Sequence, residues 1–235
     1  MRKRIKTVTW PEKISQVDNL MQGFTEITGM VLKAEPIGEY DRRVVILTKE
    51  KGKISAFARG ARKQTSRLLA ATNPFSFGTF RLYAGRSSYN LTEADISNYF
   101  EELRTDFEGA YYGMYFLEVM DYYTRENNED KEMLKLLYQS LRALMHEKLS
   151  NRLIRYIFEI KAMVLSGEFP GMPENGDYEE STRYAVHYIM SSSVEKLYTF
   201  TVSDTVLKQL AQIADNYRKR YMDREFKSLE ILESL

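Results

Sequence analysis

The chain has 235 residues, 43% of them hydrophobic and 13% aromatic, enough to bury a substantial core in one large or two small domains. It has no cysteine and only two histidines, His146 and His187, which excludes disulfides, thiolate nucleophiles and cysteine-ligated zinc and leaves no metal site or cofactor to expect. Net charge is only +1, yet the charge is sorted: five Lys/Arg to two Asp/Glu in residues 1–23, twelve to seven in 24–100, and seventeen to twenty-four in 101–235. A basic front on an acidic back is the electrostatic footprint of a molecule that holds a polyanion with one part and serves other partners with the rest.

At the start, Met1-Arg2-Lys3-Arg4 is followed by Thr7, Thr9, Pro11 and Glu12 instead of an apolar signal core. No apolar run approaches the roughly 20 residues that cross a bilayer, so a cytosolic location is the expectation. Residues 1–23 read as an N-terminal extension, either a flexible basic arm or sequence ahead of a natural start at Met21.

Residues 24–100 alternate short β-branched or aromatic runs with glycine and polar turns. Five strands are predicted, at about Thr25–Lys33, Arg43–Thr48, Lys53–Arg59, Gly78–Tyr83 and Ser88–Ala94. Turn signals separate them at Pro36-Ile37-Gly38, Lys51-Gly52, Asn73-Pro74 and Ala84-Gly85, and Ser66 reads as the cap of a single helical turn through Ala71. Five strands broken by one short helix predict a small barrel of the oligonucleotide-binding (OB) type.

Beyond Asn98 the period changes from 2 to 3.6. Leu103, Phe107, Ala110, Met114 and Leu117 form one helical stripe, and Leu134, Leu137, Tyr138, Leu141, Leu144 and Met145 a second. Leu153, Ile157, Ile160 and Val164 form a third that stops at Gly167, and Val206, Leu210, Ile213, Tyr217 and Tyr221 a fourth behind a Ser203 cap. Residues 167–180 read as an exposed, acid-rich loop within a cysteine-free region at about 167–200. The fold class is therefore α+β, a five-stranded OB-type barrel at 24–100 followed by a helical domain at 101–235.

The strongest chemical signal lies between Arg42 and Arg67, where nine Lys/Arg meet one acid, Glu50. Aromatics at Phe57, Phe75, Phe77, Tyr83 and Tyr89 are interleaved with them, the combination that neutralises phosphates and stacks bases. Strand alternation turns half of those rings inward, so the charge carries more weight. No phosphate loop, dinucleotide fingerprint, G-x-S-x-G or H-E-x-x-H motif is present. Glu159-Ile160-Lys161 mimics the acid-x-lysine of metal-dependent nucleases, but it lies in a helical stripe, where the two side chains point apart.

Particular residues resemble a known family. Thr28-Gly29-Met30-Val31-Leu32-Lys33, Gly38-Glu39-Tyr40-Asp41, Leu47 to Lys53, Arg59-Gly60-Ala61-Arg62-Lys63 and Ser66-Arg67-Leu68, in that order and spacing, are similar to the RecO family of bacterial DNA repair proteins. Asn73-Pro74-Phe75, Arg81-Leu82-Tyr83, Gly85-Arg86, Leu91-Thr92 and Phe226-Lys227-Ser228-Leu229 continue the likeness. The resemblance implies a non-enzymatic recombination mediator associated with the nucleoid. It would bind single- and double-stranded DNA, anneal complementary strands and, with RecR, help load RecA onto strands coated by single-stranded DNA-binding protein (SSB). DNA contacts would come from Arg42, Arg43, Lys53, Arg59, Arg62, Lys63, Arg67 and Arg86. An acidic, phenylalanine-ending SSB tail would enter a notch ringed by Arg152, Arg155 and Lys161 beside the third helical stripe. The four-cysteine zinc module of many family members is missing here. An RNA-binding or scaffolding OB protein is the alternative, distinguished by strand annealing.

Overall fold

The computed structural model describes residues 23–85 and 88–234, so the expectations for the N-terminal extension and for Arg86 lie outside the described residues. Five strands form a closed barrel: β1 (Phe24–Ile37), β2 (Asp41–Thr48), β3 (Gly52–Ala58), β4 (Phe77–Ala84) and β5 (Tyr89–Asn98), in the spatial order β1-β2-β3-β5-β4. Only β3 and β5 run parallel, joined over Ala56–Tyr89 and Phe57–Asn90. The one-turn helix α1 (Leu68–Ala71) follows β3.

β1 makes closure possible because it pairs with β4 through its first half and with β2 through its second. At the changeover Gly29 faces Gly78, and a Cβ on either would stand 2.4 or 2.1 Å from a neighbouring carbonyl oxygen. The Leu47 carbonyl can come that close to Gly29, and the Asp95 carbonyl to Gly78, only because neither glycine carries a Cβ. β1 also runs past Pro36, which the sequence marks as a turn; there it pairs with β2 alone, an edge position where a missing N–H is tolerated.

Alternation along these strands sorts their apolar residues to two sides. Ile27, Val31, Val44, Ile46, Ile54, Phe80 and Leu82 fill the barrel. Met30, Leu32 and Leu47, with Val45 and Phe77 half-buried, face outward and join the core of the helical half. The barrel is thus fused to the helices by apolar packing.

The helical half comprises α2 (Glu101–Thr105), α3 (Phe107–Tyr123), α4 (Lys131–Leu144), α5 (Asn151–Ser166), α6 (Glu180–Ser191), α7 (Asp204–Tyr221) and α8 (Lys227–Ser234). Extended backbone at Asp106 separates α2 from α3 and breaks the predicted first stripe. Phe107 is consequently 64% exposed, whereas Tyr112, Tyr115, Phe116 and Met120 supply the buried face. α5 lies at the centre, against α3, α4, α6 and α7, and is buried from Leu153 through Met163. Its ends follow the sequence: the Ser150 hydroxyl accepts from the Leu153 N–H, and Gly167, at φ 79°, closes the helix in the left-handed region. Ser203 caps α7 in the same way.

Candidate nucleic-acid interface

The exposed part of the basic run lies at the Arg43–Phe57 end of the outer β2–β3 face and in the loop between β3 and α1. That loop is a chain of tight turns held from inside. Gly60 takes φ +64° and donates its N–H to Asp41 Oδ1 at 2.7 Å, the Arg62 N–H reaches the Tyr40 carbonyl at 2.8 Å, and Ala61 and Leu68 plug the barrel. With its apolar members turned inward, the loop presents Arg59, Arg62, Lys63 and Arg67 to solvent. Among the described residues none of the four has an acidic partner. Arg62 spends one donor on the Gly38 carbonyl, and Lys63 lies 5.4 Å from the Tyr40 ring. On the neighbouring strands Arg43 is exposed, braced by Ser55 Oγ at 2.8 Å, and its cross-strand partner Phe57 is 38% exposed. A planar ring beside five outward cations can stack a base while phosphates are neutralised around it.

Two predicted contact residues are engaged elsewhere. Arg42 donates to the Leu69 carbonyl, Thr72 Oγ1 and Asn73 Oδ1, clamping the end of α1 onto the barrel. Burial, with the charge of nearby Arg62, holds its pKa below the usual arginine value. Lys53 reaches across to α3, where its ammonium meets Asp121 Oδ1 at 2.9 Å and the Asp121 carbonyl. Burial alone would raise the Asp121 carboxyl, but hydrogen bonds and charge from Lys53 and from Arg224, 3.2 Å away, hold it below the ordinary range. Lys53 is therefore a strut between the two halves.

The aromatics sort with equal clarity. Phe75, at φ 71°, is buried in the helical core, and Phe77 packs on Tyr138. Tyr89 sits 5.9 Å from the Lys51 ammonium beside the basic face. Tyr83 belongs to the other side of the barrel, edge-on to Phe24, where Arg81 is paired with Glu93 and Glu26 and Asp95 are exposed. One barrel face is cationic and the other is balanced or acidic.

The predicted peptide notch on α5 does not form as described. Arg152 is exposed, but Arg155 is 6% exposed and bonds Glu159 at 2.8 Å, Asp215 at 3.0 Å and Glu233 at 3.5 Å. Lys161, 5% exposed, donates to the carbonyls of Ile189, Met190 and Ser192 at 2.8–3.1 Å, so it caps the C-terminus of α6, where a cation suits the helix dipole. The Leu153, Ile157 and Ile160 stripe lies in the core. Glu159 and Lys161 serve different partners, Glu159 accepting from Arg155 and from the Tyr115 hydroxyl at 2.7 Å. Three charged residues in one apolar helix disguised it as half-exposed; their partners lie 28 to 78 residues away as well as next to them.

Comparison with known proteins adds two family models: "Recombination protein O N terminal" matches residues 21–100 and "Recombination protein O C terminal" matches residues 104–174. Among curated relatives, the DNA repair protein RecO of Acetivibrio thermocellus is 27% identical over 244 residues, covering 90% of this chain and 97% of its own. The protein of the same name from Alkaliphilus metalliredigens is 28% identical over 88% of this chain and 98% of its own. That of Bacillus pumilus is 34% identical over 62% of this chain and 57% of its own.

Proposed function

The chain belongs to the RecO family of DNA repair proteins, and on that premise we propose that it is a recombination mediator that holds single- and double-stranded DNA on the cationic face of its barrel. In this reading it anneals complementary strands and, with RecR, helps RecA displace SSB. The observation that supports it most is the group Arg59, Arg62, Lys63 and Arg67, without an acidic partner among the described residues, splayed from a loop that is tied to Asp41 and Tyr40 through Gly60 and Arg62 and closed by its own turns beyond them. A loop pinned in this way loses little conformational freedom on binding, so its cations are pre-organised for phosphate. Sequence-independent contacts of this kind leave base edges free, as annealing demands. No described helix is long and apolar enough to cross a membrane.

Annealing separates this reading from an RNA-binding or scaffolding role. Two complementary DNA strands, each coated with SSB, should pair at least tenfold faster with the protein than without it, followed by loss of fluorescence from a duplex-displaced dye. Binding of single strands with no acceleration of pairing would replace the mediator by a simple single-strand binder.

A further inference from the structure

The strut that removes Lys53 from the barrel face leads to a second basic surface. Residues 218–227 carry five Lys/Arg and two acids inside a half with an acidic excess. Arg218 turns inward to Asp215 and Glu233, while Lys219, Arg220, Arg224 and Lys227 are exposed. This corner of α7 and α8 is fastened to the same turn of α3 that receives Lys53. Arg224 takes Asp121 Oδ2 as Lys53 takes Oδ1, and the hydroxyl of Tyr122, next in sequence, bonds Asp223 Oδ1 at 2.9 Å and the Tyr221 carbonyl at 3.3 Å. Of the acids present, Asp121 lies between two cations and Asp223 is bonded to Tyr122; Glu225 and, one turn into α8, Glu230 are exposed. Arg220 lies 5.5 Å from the Tyr221 ring, a cation and an aromatic surface side by side.

We propose that the α7–α8 corner is a second phosphate-binding site, which takes the DNA strand as it leaves the barrel along β3 past Lys53. The proposal rests on the DNA-binding reading of the barrel and extends it to the acidic half, whose overall charge conceals this patch. From Arg59 to Lys53 the outer edge of β3 spans about 20 Å, at roughly 3.3 Å per residue. A strand longer than the few nucleotides this covers must therefore run onto the corner or into solvent.

The test compares oligothymidylates of about 5 and about 20 nucleotides, the first within the site size of one barrel, on the full chain and on Lys219→Glu/Arg220→Glu. Both side chains are exposed, and a matching unfolding curve shows that the variant is folded. The site predicts an unchanged affinity for the short strand. For the long strand it predicts a loss of about tenfold or more and a salt slope smaller by up to about 1.4, from two lost contacts at about 0.7 each. If the long strand keeps its affinity and slope, or if both strands weaken equally, the corner site is overturned and the barrel reading stands. If the unaltered protein binds neither strand in a salt-dependent way, the barrel reading falls and the corner with it.

Discussion

Arg155→Ala should lower the unfolding free energy by about 3–5 kcal/mol, because it strands the Glu159 carboxylate in the middle of the core. Glu159 is fully buried and one of its oxygens already lacks a partner among the described residues. Burial opposes the charge of Arg155, but the Coulombic pull of Glu159 and their hydrogen bond outweigh it and raise the guanidinium pKa above the usual arginine value. Burial and the Glu159 charge together push the Tyr115 hydroxyl well up, so it remains a neutral donor. Removing the cation leaves that hydroxyl as the main partner of a buried anion, while Arg218 still serves Asp215 and Glu233. Against a typical total of about 5–15 kcal/mol the loss is large. Urea titration followed by far-ultraviolet circular dichroism measures it. Replacing the whole group, Arg155→Met with Glu159→Leu and Tyr115→Phe, should recover most of the stability, since apolar residues of similar volume pack without a desolvation cost. A single variant that unfolds within 1 kcal/mol of the parent would show that this network does not hold the helical half together.

Gly52→Ala should cost about 2–5 kcal/mol and loosen the junction between the halves. Gly52 has φ +63°, which charges an L-residue about 1–2 kcal/mol, and its new Cβ would stand 2.2 Å from the Arg125 carbonyl oxygen and 3.0 Å from that of Asn128. Relieving that overlap adds about 1–3 kcal/mol or moves the α3–α4 connection away. The bonds beside it, Lys53 N–H to the Arg125 carbonyl at 3.0 Å and Asn127 N–H to the Lys51 carbonyl at 2.9 Å, should then open before the rest of the fold. Amide hydrogen exchange at Lys53 and Asn127 reports this opening. Unchanged protection of both amides together with an unchanged unfolding midpoint would mean that the junction accommodates the methyl group.

Much of this architecture is written locally. Ser203 and Ser150 sit where a hydroxyl can cap a helix, Gly167 stops α5 in the left-handed region, and the short β-branched runs become the barrel strands. The cationic character of the loop after β3 is equally plain, because its four exposed cations pair with no carboxylate among the described residues, the neighbouring Asp41 being taken by the Gly60 N–H. What sequence spacing cannot convey is which cations are already spoken for. Arg42 finds partners 27 to 31 residues away and Lys53 finds Asp121 at a separation of 68, distances over which no local rule operates. The same limit misplaced the notch on α5: Arg155 and Lys161 look like the solvated edge of an amphipathic helix until α6, α7 and α8 close over them. The run Val44-Val45-Ile46-Leu47 did hold a clue, since consecutive apolar residues on a strand signal burial on both faces. It marks where the barrel meets the helices, and hence where its outer face is unavailable to a ligand.

The central claim is that the Arg43–Phe57 end of the outer β2–β3 face and the loop beside it, and not the barrel as a whole, hold single-stranded DNA. Arg59→Ala/Lys63→Ala/Arg67→Ala removes three exposed cations with no acidic partner, whereas Arg81→Ala removes one from the opposite face, where Glu93 already neutralises it. A salt titration of single-stranded DNA binding by the full chain should show the triple variant losing affinity and up to about 2 from the slope, at about 0.7 per phosphate contact, with the Arg81 variant unchanged. A triple variant that keeps both its affinity and its slope would contradict the account.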